Sequence, residues 1–405
     1  MDTQINNFLS ILKSIFDNQK EIFLDEPVDW ESLSRTARKQ NLLPLFFEAV
    51  AMREDYRNSS VFEKDQLDTF AMVAAQIQRS NAFLEIYKKI TANGIYPIVI
   101  KGISCRALYG KLGEHRPSAD EDILVETKDF QKVKEILIQE HYVCSVPYIT
   151  ERGLEQIQEV SFCHLEQNLN LEVHTNLIGK ENKERVRMNN LFQKVHEHGT
   201  MTQIDGVDIK VLESTESLLF LILHTYKHFK NRGVGIRQVM DLLLYYREYK
   251  QEISSKDLQE ALKICKAEDF WMDVLYIGNQ YLGLYDKKPE HVCCPEELVE
   301  DMIHAGVFGG QEKADYAAAN TNLALEGDLC RQSKFGTLFR AAFPTRKVLL
   351  AGYPDLEEKP WTLPVIWVKR WIKFIKYARK DVWKLGREIL QKSSARMEMI
   401  KKYKK

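Results

Sequence analysis

The sequence predicts an α+β fold, in which a mixed β-sheet with flanking helices lies between an N-terminal helical segment and a C-terminal helical domain. The spacing of the apolar residues changes twice along the chain, and this change predicts the fold. Apolar residues recur with a helical period up to residue 94, with a period of two or in short solid runs from 95 to 212, and with a helical period again from 213 onward. We therefore expect domains at 1–94, 95–212 and 213–405.

The composition is that of an ordinary globular protein. The 405 residues are 44% hydrophobic and 28% charged, with a formal net charge of −1. The N-terminal sequence lacks the basic region and cleavage site of a signal peptide, and the longest apolar run, "SLLFLILHTY", is well short of the ~20 residues that span a bilayer. Seven cysteines without a CxxC pair fit a reducing compartment and argue against a disulfide framework or a structural zinc site. We expect a cytoplasmic protein without a transmembrane segment.

The first part of the chain is predicted to be helical. We predict helices in "NNFLSILKSIF", in "DWESLSRTARKQN" and in a long run around "DQLDTFAMVAAQIQRSNAFLEIYKKITANG". Asp29 has a side chain suited to the N-cap of the second helix, and Asn93 with Gly94 is a good C-terminal stop for the third.

The central part contains the predicted strands, with helix-like segments between the first of them. These strands are "YPIVIKG", "EDILVE", "EVSFCHLEQ" and "LNLEVHTNL". A hairpin is predicted in "MTQIDGVDIKVL", with Asp205 and Gly206 at its turn.

The last part returns to a helical period, apart from a loop-rich stretch at 305–362. From Lys369 onward the tail carries fourteen Lys and Arg against three Asp and Glu, with apolar residues at helical spacing between them. One interpretation is a basic helix that contacts nucleic acid or a membrane surface. The other is a terminal helix that packs on the core and leaves its basic face in solvent.

Two aspartates on one predicted strand are the first sign of chemistry. Alternation places Asp120 and Asp122 on one face, with Glu121 and Ile123 on the other. Neighbouring carboxylates repel each other unless a cation lies between them, and oxygen ligands of this kind suit Mg²⁺ or Mn²⁺. Glu172 completes a three-carboxylate cluster if its strand neighbours the first. Such a cluster predicts a catalytic metal site for in-line phosphoryl transfer, with the three carboxylates as ligands.

The turn before these aspartates fits the same chemistry. The segment "IVIKGIS" runs from a buried strand through Gly102 into a helix, where backbone N–H groups and the positive helix end favour phosphate oxygens. Lys101, Ser104 and Arg116 are candidates for further contacts with a bound nucleotide. The chain contains no GxxxxGK[ST], so this turn is not a P-loop.

Three of the histidines in or after the predicted core are candidates for contacts with a substrate. His174 follows Glu172 by two residues, where it either contacts the substrate or sits at the end of the sheet. His224 and His228 share one helix face, because they are four residues apart. Together with Lys227 they either line a cleft, in which His228 would contact a nucleotide, or pack inside the protein.

The order of these motifs resembles the DNA polymerase β-like nucleotidyltransferase superfamily: Gly-x-Ser, then Asp-x-Asp followed by aliphatic residues, then a later strand with an acidic residue. Within it, several segments resemble the uncharacterised nucleotidyltransferase family of bacteria. These are "IVIKGISCRALYG", "RPSADEDILV", "LEVHTNL", "LILHTYKHFK", "IRQVMDLLL" and "FPTRKVLLAGYPDLEEKPWTLP". The resemblance covers residues 30 to 385 and is most specific from 98 to 125.

The resemblance implies a nucleotidyltransferase-type sheet core, ATP or another NTP as substrate, and Mg²⁺ or Mn²⁺ as cofactor. It implies that Asp120 and Asp122 are the metal-binding pair, that Glu172 is the third carboxylate, and that Gly102 and Ser104 form the phosphate-contacting turn.

The implied reaction moves an NMP from an NTP to a hydroxyl acceptor and releases pyrophosphate. The acceptor is a small molecule, a protein or an RNA, and the sequence does not choose among them. Two alternatives remain: a catalytically silent nucleotidyltransferase fold that serves as a binding or interaction module, and a toxin-like enzyme that nucleotidylates RNA or protein.

Overall fold

The fold was established from a computed structural model of the chain. The structure describes residues 2–16, 22–146, 149, 151–180, 183–231, 233–306, 343, 346–349, 353, 356, 359–377 and 398–403.

A seven-stranded mixed sheet forms the centre of the described chain and confirms the predicted α+β class. Its strands are β1 (Ile98–Val99), β2 (Glu121–Leu124), β3 (Val143–Cys144), β4 (Glu159–His164), β5 (Leu169–His174), β6 (Thr200–Ile204) and β7 (Val207–Val211). Their order across the sheet is β3-β4-β5-β2-β1-β7-β6.

The other main elements of the described chain are α-helices. In chain order they are α1 (Thr3–Phe16), α2 (Trp30–Lys39), α3 (Leu43–Val50), α4 (Glu54–Arg57), α5 (Phe62–Ala92), α6 (Ile103–Ala107), α7 (Phe130–Gln139), α8 (Glu151–Gln156), α9 (Lys183–Asn190), α10 (Val195–His198), α11 (Ser214–Asn231), α12 (Ile236–Tyr249), α13 (Ser255–Cys265), α14 (Glu268–Ile277), α15 (Pro295–Ala305), α16 (Arg346–Leu349) and α17 (Leu363–Tyr377).

Local signals set several of these boundaries as predicted. The Asp29 carboxylate accepts a hydrogen bond from the backbone N–H of Ser32, so it caps α2. Asp205 and Gly206 both have positive φ angles, 49° and 76°, as the tight turn between β6 and β7 requires.

Helix α3 and strand β3 were not predicted. Helix α3 lies in a solid apolar run without a helical period, and β3 is only two residues long.

Two apolar cores cover the two faces of the sheet. Ile98 and Leu124 belong to one core, while their chain neighbours Val99 and Ile123 belong to the other, because successive side chains of a strand point to opposite faces. On the second face, Val99 and Ile123 pack with buried residues of α5 and α7, among them Phe83.

The larger core joins the two ends of the described chain. Phe8 of α1 and Leu43 of α3 share it with Phe220 of α11 and Leu243 of α12. A fully buried side chain of this size contributes about 1.5–3 kcal/mol to folding. The N-terminal helices therefore depend on the C-terminal ones for burial, and the predicted domain boundaries stay a prediction.

Among the described helices, none combines the length and apolar character needed to cross a bilayer. Helix α17 includes the beginning of the predicted basic tail. Ile366 of this helix is buried against Leu349 and Leu356, whereas Val365 and Val368 are exposed. Most of the tail lies outside the described residues, so its contact with nucleic acid or a membrane surface stays a prediction.

A buried carboxylate holds the turn between β1 and α6. Glu121 Oε2 accepts a hydrogen bond of 2.6 Å from the backbone N–H of Ile103, and Glu121 Oε1 accepts one of 2.6 Å from Arg106 Nη1. Burial raises the pKa of Glu121, although Arg106 opposes this effect. Gly102 has a φ angle of 71°, and a Cβ atom there would lie 2.1 Å from Glu121 Oε2. Only glycine fits this turn.

A second buried ion pair ties the loop before β2 to α12. Arg116 donates to Asp241 through Nε at 2.8 Å and Nη2 at 2.6 Å, and the Tyr109 hydroxyl donates to Asp241 at 2.8 Å. Arg237 donates to the carbonyl oxygen of Pro117 in the same loop. These contacts fix the segment that leads into the Asp-x-Asp strand.

We expect Gly102→Ala to destabilise the fold by about 2–4 kcal/mol, because it combines a positive φ angle with a collision against a buried carboxylate. Urea denaturation measures this loss. The matched control is Gly94→Ala, at a φ angle of 79° with no atom within 4 Å of the added Cβ. Equal losses in the two variants would contradict the role of Glu121.

Candidate metal and nucleotide site

The centre of the site lies on two parallel neighbouring strands. Strand β2 pairs with β5 so that Asp122 stands opposite Glu172. His174, on the same strand as Glu172, places its Nε2 atom 2.9 Å from Asp122 Oδ1 and 3.7 Å from Glu172 Oε2. Lys101, just beyond β1, places its Nζ atom 3.1 Å from the same Asp122 oxygen. One cluster, which we call the acidic cluster, is therefore formed by Lys101, Asp122, Glu172 and His174, although Asp122 and His174 are 52 residues apart in sequence.

Burial shapes the charge of this cluster. It raises the pKa of Asp122, and the positive charges of Lys101 and His174 offset only part of that effect. Burial lowers the pKa of His174, but its contacts with Asp122 and Glu172 outweigh burial and raise that pKa to about 9. For Glu172, His174 and Lys101 more than offset burial and hold the pKa below its usual range. The buried Asp122 carboxylate is thus harder to ionise than Glu172 at the open edge of the cluster.

The same carboxylate has an oxygen without a partner. Asp122 is 0% exposed, and as an ionised carboxylate it has no donor for its Oδ2 atom in the described part of the chain. A buried acceptor left unpaired costs roughly 1–3 kcal/mol. One ligand atom from each of Asp122, Glu172 and His174 lies within 4.8 Å of the others. These residues fit a divalent cation, which would contact the unpaired oxygen and favour the ionised carboxylates.

Asp120 lies at the edge of the cluster. Lys101 Nζ is 3.7 Å from Asp120 Oδ2 and also contacts Asp122, so both aspartates face the same side, as the alternation predicts. The side chain of Asp120 is 37% exposed, because it precedes β2. Burial lowers the pKa of Lys101, but the charges of Asp122 and Asp120 outweigh it and raise that pKa, so the side chain stays protonated. Lys101 is the cation between the two aspartates.

The glycine turn is only partly open to a ligand. The backbone N–H of Ile103, at the start of α6, already donates to Glu121. Ser104 is the next residue of this helix and is partly exposed. Of the predicted phosphate contacts, Lys101 lies in the acidic cluster. The other two, Gly102 and Ser104, are in the turn that follows Lys101 in the chain.

Arg116 has a different environment from the one predicted for a nucleotide contact. Its Nε and Nη2 atoms are committed to Asp241, and both side chains are buried. Within the described residues, the ion pair of Arg116 is thus with Asp241 of α12, and its contact with a nucleotide stays a prediction.

One face of α11 lies beside the cluster. His224 Nε2 and His228 Nε2 are 3.0 Å apart, and Lys227 Nζ donates to Gln158 Oε1 at 2.9 Å, just before β4. Burial, followed by the positive charges of Lys101 and His228, holds the pKa of His224 well below its usual value. Because Gln158 directly precedes Glu159, which stands opposite His174 in the sheet, the Lys227 contact brings this helix face close to the cluster.

Glu159 also lies beside the acidic cluster, although no sequence motif identifies it. It stands directly opposite His174 in the antiparallel pairing of β4 with β5, and its Oε2 atom lies 3.9 Å from His174 Nδ1. Alternation along "EVSFCHLEQ" places Glu159 on a strand, but only the register of the hairpin shows which residue it faces.

A second group with metal-ligand side chains lies near the C-terminal end. Asp273, Cys293 and Cys294 offer ligand atoms within 4.8 Å of one another. The carboxylate of Asp273, however, accepts hydrogen bonds from the backbone N–H groups of both cysteines and from the Tyr403 hydroxyl. This carboxylate therefore joins the start of α15 to the C-terminal residues 398–403.

Comparison with known proteins identifies the family of the chain. A family model described as an uncharacterised nucleotidyltransferase matches residues 26–283, which is more than half of the chain. The match includes the acidic cluster, the glycine turn and the α11 face. No curated protein and no solved structure matches the chain. The chain belongs to the uncharacterised nucleotidyltransferase family.

Proposed function

We propose that the protein is a divalent-cation-dependent nucleotidyltransferase, which moves an NMP from an NTP to a hydroxyl acceptor and releases pyrophosphate. The observation that carries this proposal is the pair of buried Asp122 and partly exposed Glu172 on adjacent parallel strands, with one unpaired Asp122 oxygen. A reaction that uses NTP, together with six free cysteines among the described residues, suits the cytoplasm.

The carboxylates of Asp120, Asp122 and Glu172 would hold Mg²⁺ or Mn²⁺. When bound, the cation lowers the pKa of the acceptor hydroxyl and neutralises charge on the triphosphate. The residues of the chain supply the remaining parts of the mechanism, which are orientation, proton removal and further charge neutralisation.

The chemical step exchanges one phosphorus–oxygen bond for another. The acceptor oxygen attacks the α-phosphorus, the bond to the bridging oxygen of the β-phosphate breaks, and pyrophosphate leaves with that oxygen. The Glu172 carboxylate is ionised and partly exposed at the open edge of the cluster, so it orients the hydroxyl by accepting a hydrogen bond from it. Because its depressed pKa makes it a weak base, the proton passes on from Glu172 to water. Lys101 keeps its charge and neutralises the non-bridging oxygens of the α-phosphate.

The triphosphate would extend from the carboxylates toward two sets of donors. The turn at Gly102 and Ser104 lies directly after Lys101 and offers the Ser104 hydroxyl. On the other side, His228 and its neighbour Lys227 on α11 provide imidazole and ammonium groups. In this proposal the role of Arg116 is structural. Its ion pair with Asp241 fixes the loop before the Asp-x-Asp strand.

The acceptor is a small molecule, a protein side chain or an RNA end. A silent binding module is the less favoured alternative, because a scaffold gains nothing from Asp122 buried with an unpaired oxygen beside Glu172. A toxin-like enzyme that modifies RNA or protein would use the same site.

We expect label to pass from an α-labelled NTP to an acceptor in a cell extract that contains Mg²⁺ or Mn²⁺. Asp122→Asn and Glu172→Gln should lower the transfer rate on the order of 10³-fold, because each removes several kcal/mol of transition-state stabilisation. Gel analysis of the labelled species also identifies the acceptor class.

Glu126→Gln is the matched control for these variants. Glu126 lies two residues beyond β2, is exposed, and pairs with Lys128 at the surface. Full transfer by Asp122→Asn, or no transfer by the unmodified protein with any of the NTPs, would contradict the proposed reaction.

His228→Ala should raise the KM for NTP about tenfold and change kcat less, because it removes one phosphate contact worth about 1.4 kcal/mol. Steady-state kinetics measure both constants. His198→Ala, at an exposed histidine that ends α10, is the control. An unchanged KM in His228→Ala would show that the α11 face serves packing alone.

A further inference from the structure

We propose that His174 is itself a metal ligand, so that Asp122, Glu172 and His174 form a mixed carboxylate–imidazole site. Such a site takes a first-row transition-metal dication, with Mn²⁺ as the probe, in preference to Mg²⁺. The inference rests on the proposed function for the role of the metal in catalysis, but the metal preference itself can be measured without any reaction.

The positions of the three side chains carry this inference. His174 Nε2 is 2.9 Å from Asp122 Oδ1 and 3.7 Å from Glu172 Oε2, and one ligand atom from each residue lies within 4.8 Å of the others. His174 is 1% exposed and Asp122 is 0% exposed, while the side chain of Glu172 remains 27% exposed. Two donors are therefore fixed in the interior and the third borders solvent, which leaves an open side for a substrate oxygen.

The other nitrogen of the imidazole faces a second carboxylate. His174 Nδ1 lies 3.9 Å from Glu159 Oε2, and both atoms are buried without a hydrogen-bond partner among the described residues. Metal-binding histidines usually donate their second N–H to a carboxylate, which fixes the tautomer and the ring orientation. The pairing of Glu159 opposite His174 in the β4–β5 ladder provides this arrangement. Glu159 acts as a positioning residue.

The mixed donor set decides the class of metal. Mg²⁺ prefers oxygen ligands at octahedral geometry and keeps several waters, whereas an imidazole nitrogen binds first-row transition-metal ions well. Mn²⁺ accepts both oxygen and nitrogen donors and is the first-row dication closest to Mg²⁺ in its ligand preferences. In an alternative arrangement His174 remains a charged partner of Asp122, and the metal then contacts oxygen atoms alone.

Pulsed electron paramagnetic resonance of Mn²⁺ bound to the full-length protein separates these arrangements. With histidine labelled in ¹⁵N, we expect a hyperfine coupling from a directly bound imidazole nitrogen. The group at Asp273, Cys293 and Cys294 has no side-chain nitrogen, so Mn²⁺ bound there gives no such signal.

Two variants and one control complete the experiment. His174→Gln should remove the coupling and lower the ratio of the Mg²⁺ Kd to the Mn²⁺ Kd, measured by calorimetry, at least about tenfold. Glu159→Gln should keep the coupling and weaken Mn²⁺ binding about 10–100-fold. His198→Gln, at an exposed histidine, should change neither quantity. If His174→Gln does not fold, the unmodified protein and Glu159→Gln decide the result.

A missing nitrogen coupling in the unmodified protein, or a coupling that persists in folded His174→Gln, would overturn the inference. Unchanged Mn²⁺ affinity in Glu159→Gln would contradict the positioning role of Glu159. These failures differ from failure of the proposed function. Nucleotidyl transfer with oxygen-only metal ligation refutes the inference alone, whereas nitrogen ligation without nucleotidyl transfer to any acceptor refutes the proposed reaction alone.

Discussion

The parallel pairing of β2 with β5 is the constraint on which the site depends. It places the buried Asp122 carboxylate opposite the partly exposed Glu172, and two ionised carboxylates at such close range repel each other. This arrangement is stable only if positive charge lies next to it. Lys101 reaches it from the end of β1, and His174 reaches it from the same strand as Glu172. The remaining unpaired oxygen of Asp122 is the position that a divalent cation would satisfy.

The surrounding structure holds this charge arrangement in place from both sides. On the opposite face of β2, Glu121 binds the start of α6 and fixes the turn that follows Lys101. At the beginning of the strand, Arg116 binds Asp241 of α12 and fixes the incoming loop. Both ion pairs are buried, and breaking such a pair by removing one partner costs about 3–5 kcal/mol. The helical part of the chain is thus directly joined to the segment that carries the aspartates.

The alternation along "SADEDILV" was sufficient to predict that Asp120 and Asp122 face one side and Glu121 the other. Sequence could not show that Asp122 would be fully buried while Asp120 stays partly exposed, because this depends on where β2 begins. Arg116 shows a further limit. Its partner Asp241 lies 125 residues away, and no local pattern identifies so distant a contact. The importance of His174 and Glu159 likewise depends on strand register, which the sequence left open.

The central claim is that the acidic cluster binds a nucleoside triphosphate together with a divalent cation. Calorimetric titration of the protein with each NTP at millimolar Mg²⁺ or Mn²⁺ tests it most directly. We expect saturable binding of at least one NTP, which requires the cation and weakens strongly in Asp122→Asn. Absence of NTP binding under all of these conditions, or equal binding without any divalent cation, would contradict it.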